Sequence, residues 1–193
     1  MFAFSLHLQT METNIVKIKE ISEEKAEENW AFRAYLKECD MSPEEIDAIV
    51  HRLYKEISSK IDCKACANCC KEITPVLDAE DIEKLSEGSG RSNVEFKEEY
   101  LTEDEESNGF KFKTKPCPFL KDNLCSLYAY RPKDCRSYPH LHKDGFVFRL
   151  MDVIANCSVC PIVFNVYEAL KEELWHKESL YFDDLDDWLS EEG

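Results

Sequence analysis

Four of the ten cysteines fall within eight residues, as Cys63-x2-Cys66-x2-Cys69-Cys70. Thiolates at a two-residue interval can turn toward one ion without strain, which is why this spacing recurs in zinc sites. Three of them at C-x2-C-x2-C spacing also match the run that fills corners of a cubane iron–sulfur cluster. Cys117, Cys125 and Cys135 follow, and Cys157-x2-Cys160 closes the set. The candidate metal ligands are therefore Cys63, Cys66, Cys69, Cys70, Cys117, Cys125, Cys135, Cys157 and Cys160. Cys39 stands apart, seven residues after Phe32 on one helix face, and reads as a small apolar residue. A disulfide framework fits poorly, because Cys69 and Cys70 are neighbours and a bond between them would be strained.

Gathering many thiolates costs repulsion and desolvation, so positive charge must be supplied. The chain has a formal net charge of -16, unevenly spread. Between Ser107 and Met151, nine Lys/Arg face three acids, which makes that segment +6 and the remainder -22. Arg131 and Arg136 flank Cys135 and are the candidates to hydrogen-bond sulfur or an anionic group, the cofactor-binding pair. Lys111, Lys113 and Lys115 read as a solvated strand face. Cys160 precedes Pro161 at the expected N-cap of a helix, where the dipole favours a thiolate. His140 and His142 alternate in an extended segment and read as surface residues. The acidic excess argues against nucleic acid or an anionic membrane as partner, since both need a cationic face. A metal ion or cluster is the expected partner, and a protein partner remains compatible.

The opening MFAFSLHLQTMETN lacks a cationic n-region and a long apolar run, so it does not read as an export signal, and Met11 is a second candidate start. The longest apolar candidate, from Leu150 to Leu170, is interrupted by Asp152, Asn156 and Asn165, so no spanning helix is expected. A cytoplasmic setting follows as the expectation, where thiols stay reduced.

The elements that must position these thiols can be read from periodicity and punctuation. Ser22 is placed to cap a helix running to about Glu38. Ser42-Pro43-Glu44-Glu45 opens another with a capping box, followed by Ile46, Ile49, Val50, Leu53 and Ile57 at helical spacing. These two are expected to pair antiparallel. Asp78 caps a short helix carrying Ile82 and Leu85, and Ser92 or Asn93 opens the next. Thr102 to Gly109 reads as a polar loop, and Gly109 to Lys113 as a strand. Lys115 to Leu141 is too rich in Pro and Cys for long regular elements. Phe146 to Leu150 reads as a short strand, and Pro161 starts a helix with Val163, Val166, Tyr167, Leu170 and Leu174 inward. The expected class is mainly α with short β-strands, a small cysteine-rich, metal-centred domain flanked by helices. The expected divisions are an extension at 1–20 with little to order it, a helical pair at 21–61, a cysteine-cluster metal-binding domain at 62–176 and an acidic tail at 177–193. In that tail Leu185, Trp188 and Leu189 are placed to tack one turn onto the body.

The ordered string Cys63-x2-Cys66-x2-Cys69-Cys70, Cys117-Pro118-Phe119-Leu120, Cys125-Ser126-Leu127-Tyr128 and Arg131-Pro132-x2-Cys135-Arg136-Ser137-Tyr138-Pro139 resembles the CxxCxxCC cysteine-cluster family, to which zinc or iron chelation is ascribed. Leu77-Asp78-x2-Asp81-Ile82-x2-Leu85 resembles its spacer helix. The resemblance spans about Cys63 to Cys160 and implies metal chelation, with zinc or iron, including an iron–sulfur cluster, as cofactor. In that setting Arg131 and Arg136 would tune charge, and Tyr128 and Tyr138 would pack around the site. A similar cysteine pattern in flagellin lysine-N-methylases implies an alternative: an iron–sulfur enzyme acting in protein side-chain modification or electron transfer. The chain shows no glycine-rich nucleotide loop of the Rossmann type. A thiol-redox protein is the third reading.

Overall fold

In the structure, a computed structural model, residues 11–105 and 107–176 are described. In chain order the helices are α1 (Ile15–Glu24), α2 (Ala26–Glu38), α3 (Pro43–Ser58), α4 (Cys63–Cys66), α5 (Asn68–Glu72), α6 (Ala79–Ser89), α7 (Asn93–Tyr100), α8 (Lys133–Ser137), α9 (Leu150–Cys157) and α10 (Pro161–Leu174). Among the described residues there are two short hairpins: β1 (Leu101–Asp104) pairs antiparallel with β2 (Gly109–Phe112), and β3 (Leu120–Lys121) with β4 (Leu124–Cys125). The protein is thus mainly α with short β-strands. The described residues divide into two units, one made of 11–61 together with 141–176, the other of Asp62–His140.

The helical unit is built on α3 and α10. Ser42 and Glu45 form the expected capping box, with Pro43 at the helix start. The buried stripe Ile46, Val50, Leu53 and Ile57 gives α3 an apolar face, and α10 buries Ile162, Val163, Val166, Tyr167 and Leu170. These two helices pack mainly on each other, so α3 takes α10, more than α2, as its partner. Phe32 of α2 meets Tyr167 edge-on at 5.3 Å and stacks on Trp175 at 5.6 Å. The fully buried Lys171 is held by Glu28 at 2.8 Å and Glu168 at 2.7 Å, and Lys25 reaches Glu168 at 2.5 Å. A buried cation with two carboxylate partners keeps its charge compensated inside the core.

Two expectations in this unit are corrected. The first helix does not begin at Ser22. Asn14 accepts hydrogen bonds from the backbone of Val16 and Lys17, and α1 runs from Ile15 until the chain breaks step at Lys25. Residues 15–20 therefore lie in α1, with Ile18 fully buried. The expected strand Phe146–Leu150 is a 3₁₀ turn over Phe146–Arg149 that feeds α9. The buried carboxylate of Asp47 accepts from the backbone of Gly145 at 2.6 Å and Phe146 at 2.9 Å, fixing the turn's entry. Residues 141–176 group with the helical unit. The tail at 177–193 and its expected turn lie outside the described residues, as does the stretch 1–10.

In the Asp62–His140 unit, Asp78 caps α6 and Ser92 forms a capping box with Glu95 at the start of α7. Leu77, Ile82, Leu85, Phe96, Leu101, Phe112, Phe119 and Leu127 form the core, with Cys117 and Cys125 packed against it. Thr102–Asp104, expected as loop, forms strand by pairing with Gly109–Lys111. Gly88 lets α6 approach the 3₁₀ turn Tyr128–Tyr130 closely: a Cβ there would meet the Tyr130 ring at 2.5 Å.

Candidate metal centre

The CxxCxxCC run is not one loop. Asp62 caps the single turn of α4 by accepting from the Lys64 backbone at 2.9 Å, and this turn carries Cys63 and Cys66. Ala67 then takes a left-handed conformation (φ 47°), and α5 restarts with Cys69 and Cys70. The Cys117 amide donates to the Cys70 carbonyl at 2.9 Å, which ties the run to the second cysteine segment.

The β3–β4 hairpin holds that second segment. Asp122 and Asn123 both have positive φ (50° and 61°), the requirement of a two-residue turn of type I′. Asn123 Nδ2 donates to the Ala65 carbonyl at 3.4 Å, which tethers the turn to α4. Phe119 and Leu127 anchor the hairpin in the core, while their backbone amides aim at sulfur: Phe119 and Leu120 at Cys117, Leu127 at Cys125. Cys135 sits on α8, whose start is fixed by the Lys133 amide donating to Asp81 at 2.9 Å and the Lys133 ammonium pairing with Asp78 at 2.8 Å and Glu80 at 2.6 Å.

Four thiols from these segments lie within electrostatic reach of one another. Burial pushes Cys135 up to about 12, reinforced by Cys117, Cys70 and Cys125. Burial pushes Cys117 up to about 11 against the pull of the Phe119 amide, and Cys125 and Cys70 add to the rise. Cys125 is raised by burial and by Cys70, with the Leu127 amide opposing. Every pair among Cys70, Cys117, Cys125 and Cys135 is thus close enough to interact. Cys70 differs in sign. A hydrogen bond from the Cys69 thiol, against the opposing effect of burial, brings it down to about 6, with Arg131 and Lys71 assisting.

Arg131 is the cation that acts on three of these four thiols. Its charge favours the thiolate at Cys63, Cys70, Cys125 and Cys135. Its guanidinium lies over the half-exposed Tyr128 ring at 3.7 Å, and its Nε donates to the Tyr128 carbonyl at 3.2 Å. The other cations of the segment are turned elsewhere. Lys111 pairs with Asp104 at 3.0 Å, Lys113 donates to the Glu98 carbonyl, and Lys115 donates to the Glu72 carbonyl at 2.7 Å. Arg136, the second expected charge partner, is exposed on α8. Tyr138 packs edge-on against His140 at 5.9 Å, and His142 packs against Tyr54 at 6.1 Å in the helical unit.

The remaining expected ligands fall into two groups. Cys63 is exposed and Cys66 half-buried; burial of the Cys63 sulfur, with Cys66 and Asp62 near it, raises its pKa. Cys157 and Cys160 belong to the helical unit. Cys157 ends α9 at 2% exposure and Cys160 stands at the N-cap of α10, as expected, at 7%. Burial raises the Cys157 thiol strongly, with Lys171 opposing. All ten cysteines are free thiols. Among the described residues, no three His, Cys, Asp or Glu side chains stand as a ready-made coordination set. By chemistry the donor set fits the soft to borderline ions that thiolates select, zinc and iron among them. The amides of Phe119 and Leu127, and the Asn123 tether, were not singled out from sequence. The Asp-Asn pair between Leu120-Lys121 and Leu124-Cys125 was the available signal.

Fold and site together define a helical cysteine-cluster protein with a thiol-lined unit suited to metal. Residues 62–161 match the model of the CxxCxxCC family, described as "Putative zinc- or iron-chelating domain", and the chain belongs to this family. That description supports metal binding as the general role, and the match runs past His140 to include Cys157 and Cys160. Comparison with curated proteins and with solved structures found no match. No helix of the described residues is long and apolar enough to cross a membrane.

Proposed function

We propose that the Asp62–His140 unit binds one zinc or iron centre through Cys70, Cys117, Cys125 and Cys135. The observation that carries this reading is that four sulfurs from three separate backbone segments, each segment fixed by its own hydrogen bonds, act electrostatically on one another. A bound metal supplies the positive centre that relieves the repulsion among these thiolates. Arg131 offsets part of the remaining negative charge, and the Phe119, Leu120 and Leu127 amides orient sulfur lone pairs. Four protein thiolates fill a tetrahedral site, so the centre serves structure or storage rather than a reaction at an open position. Cys157 and Cys160 are assigned to the core of the helical unit. The thiol-rich site suits a reducing cytoplasmic setting.

Elemental analysis and absorbance of anaerobically purified protein test the proposal. One centre per chain is expected, lost in Cys117→Ser and in Cys135→Ser. A broad band at roughly 400 nm identifies iron–sulfur, and a colourless protein with stoichiometric zinc identifies a closed zinc site. Full metal content in both variants would refute the ligand set.

A further inference from the structure

We propose that Cys63 and Cys66 form a loading site, which takes the metal ion from an anionic metal–thiolate carrier and hands it to the four inner sulfurs. This rests on the metal-binding reading above. The two cysteines stand at i and i+3 on the single turn of α4, and residues at that interval share a helix face. Cys63 is the one cysteine of the ten that is exposed. An ion held by two thiolates, one of them exposed, exchanges more readily than one enclosed by four half-buried sulfurs.

Position links the pair to the inner set. Arg131 acts on Cys63 as it does on Cys70, Cys125 and Cys135, so one cation spans outer and inner sulfurs. The Asn123 tether to the Ala65 carbonyl holds α4 against the hairpin that carries Cys125. Cys69, hydrogen-bonded to Cys70, lies between the two groups in the chain. Charge indicates what approaches. Lys64 lies 5.2 Å and Arg131 3.7 Å from the Tyr128 ring centroid, giving a cationic, aromatic surface next to Cys63. On a chain of net charge -16 such a surface favours an anionic carrier, such as a carboxylate-bearing thiol complex.

Transfer is ligand exchange without redox change. Cys63 displaces one carrier thiolate: its sulfur–metal bond forms as the carrier's breaks, and its proton passes to the departing sulfur. Cys66 displaces a second carrier thiolate in the same way. The inner sulfurs then displace Cys63 and Cys66, each giving up its proton as it binds, two of these protons restoring the outer thiols and the rest passing to solvent. No electron moves, so no oxidant or reductant is needed.

The test uses the full reduced chain and zinc presented as its glutathione complex, with loading followed by stopped flow and final content by elemental analysis. The double variant Cys63→Ser/Cys66→Ser is expected to reach the same stoichiometry as wild type, with affinity within about threefold, while loading about tenfold more slowly or worse. Lys64→Glu should slow loading by a smaller factor and lose the salt dependence of the rate. Loss of a metal equivalent in the double variant would make the pair ligands, and an unchanged rate would make it idle; either overturns the proposal. A wild-type chain that takes up no metal would instead refute the metal-binding reading itself.

Discussion

The two units meet the same electrostatic problem in opposite ways. In the helical unit a single buried cation, Lys171, is enclosed by Glu28 and Glu168, and the charges are balanced by the protein's own side chains. In the Asp62–His140 unit four thiols come within electrostatic reach of one another, and the cation that acts on three of them, Cys70, Cys125 and Cys135, is Arg131, which lies on a half-exposed tyrosine ring. The first core is complete as folded; the second holds thiols that stay protonated until an external cation stabilises their thiolates. Buried charge compensated internally contributes to a fixed structure, while uncompensated donors mark a place for a ligand.

Metal removal should break this symmetry most. Stripping the protein with a chelator under reducing conditions is expected to abolish amide protection across 62–140 and leave α3 and α10 protected, with a contribution on the order of 10 kcal/mol. Hydrogen exchange read by mass spectrometry checks it, and equal loss in both units would erase the contrast. Next in size is the converse perturbation. Lys171→Ala leaves Glu28 and Glu168 without their buried partner and should destabilise the helical unit by about 3–5 kcal/mol in urea denaturation, with metal content unchanged. Arg131→Gln sharpens the comparison from the other side: metal affinity should fall about tenfold in a competition titration, while the helical unit melts as in wild type. The smallest effect separates the units by equivalent substitutions. Ser42→Ala and Ser92→Ala each remove a capping box and should cost about 1 kcal/mol, the first in the helical unit and the second in the cysteine unit. Site-resolved hydrogen exchange assigns each loss to its unit.

How much of this was legible in the sequence depended on the range of the interaction. Ser42-Pro43-x-Glu45, Asp78 and Cys160-Pro161 announced helix starts because capping is settled within four residues. Ser22 misled, since Asn14 upstream already satisfied the first free amides and let α1 begin earlier. Phe146–Leu150 has strand-like composition, yet a carboxylate 99 residues away in sequence, Asp47, fixes the entry to a 3₁₀ turn. The cysteine spacing identified thiol chemistry, but the grouping of Cys70 with Cys117, Cys125 and Cys135 depends on the hairpin turn and on the Cys70–Cys117 backbone link. Arg131 was legible by its nearness to Cys135, whereas Arg136 met the same criterion and faces solvent, because sequence distance does not fix direction.

The left-handed Ala67 separates what the family motif presents as one run. A continuous helix over residues 63–72 would align Cys63, Cys66 and Cys70 in one stripe, as residues at intervals of three and four do. The single reversed residue resets the phase, so Cys69-Cys70 starts a new turn with its own orientation. The spacing CxxCxxCC therefore encodes two short grips joined by a swivel, and lengthening or shortening the two residues between Cys66 and Cys69 would dephase one grip from the other while leaving the number of sulfurs intact.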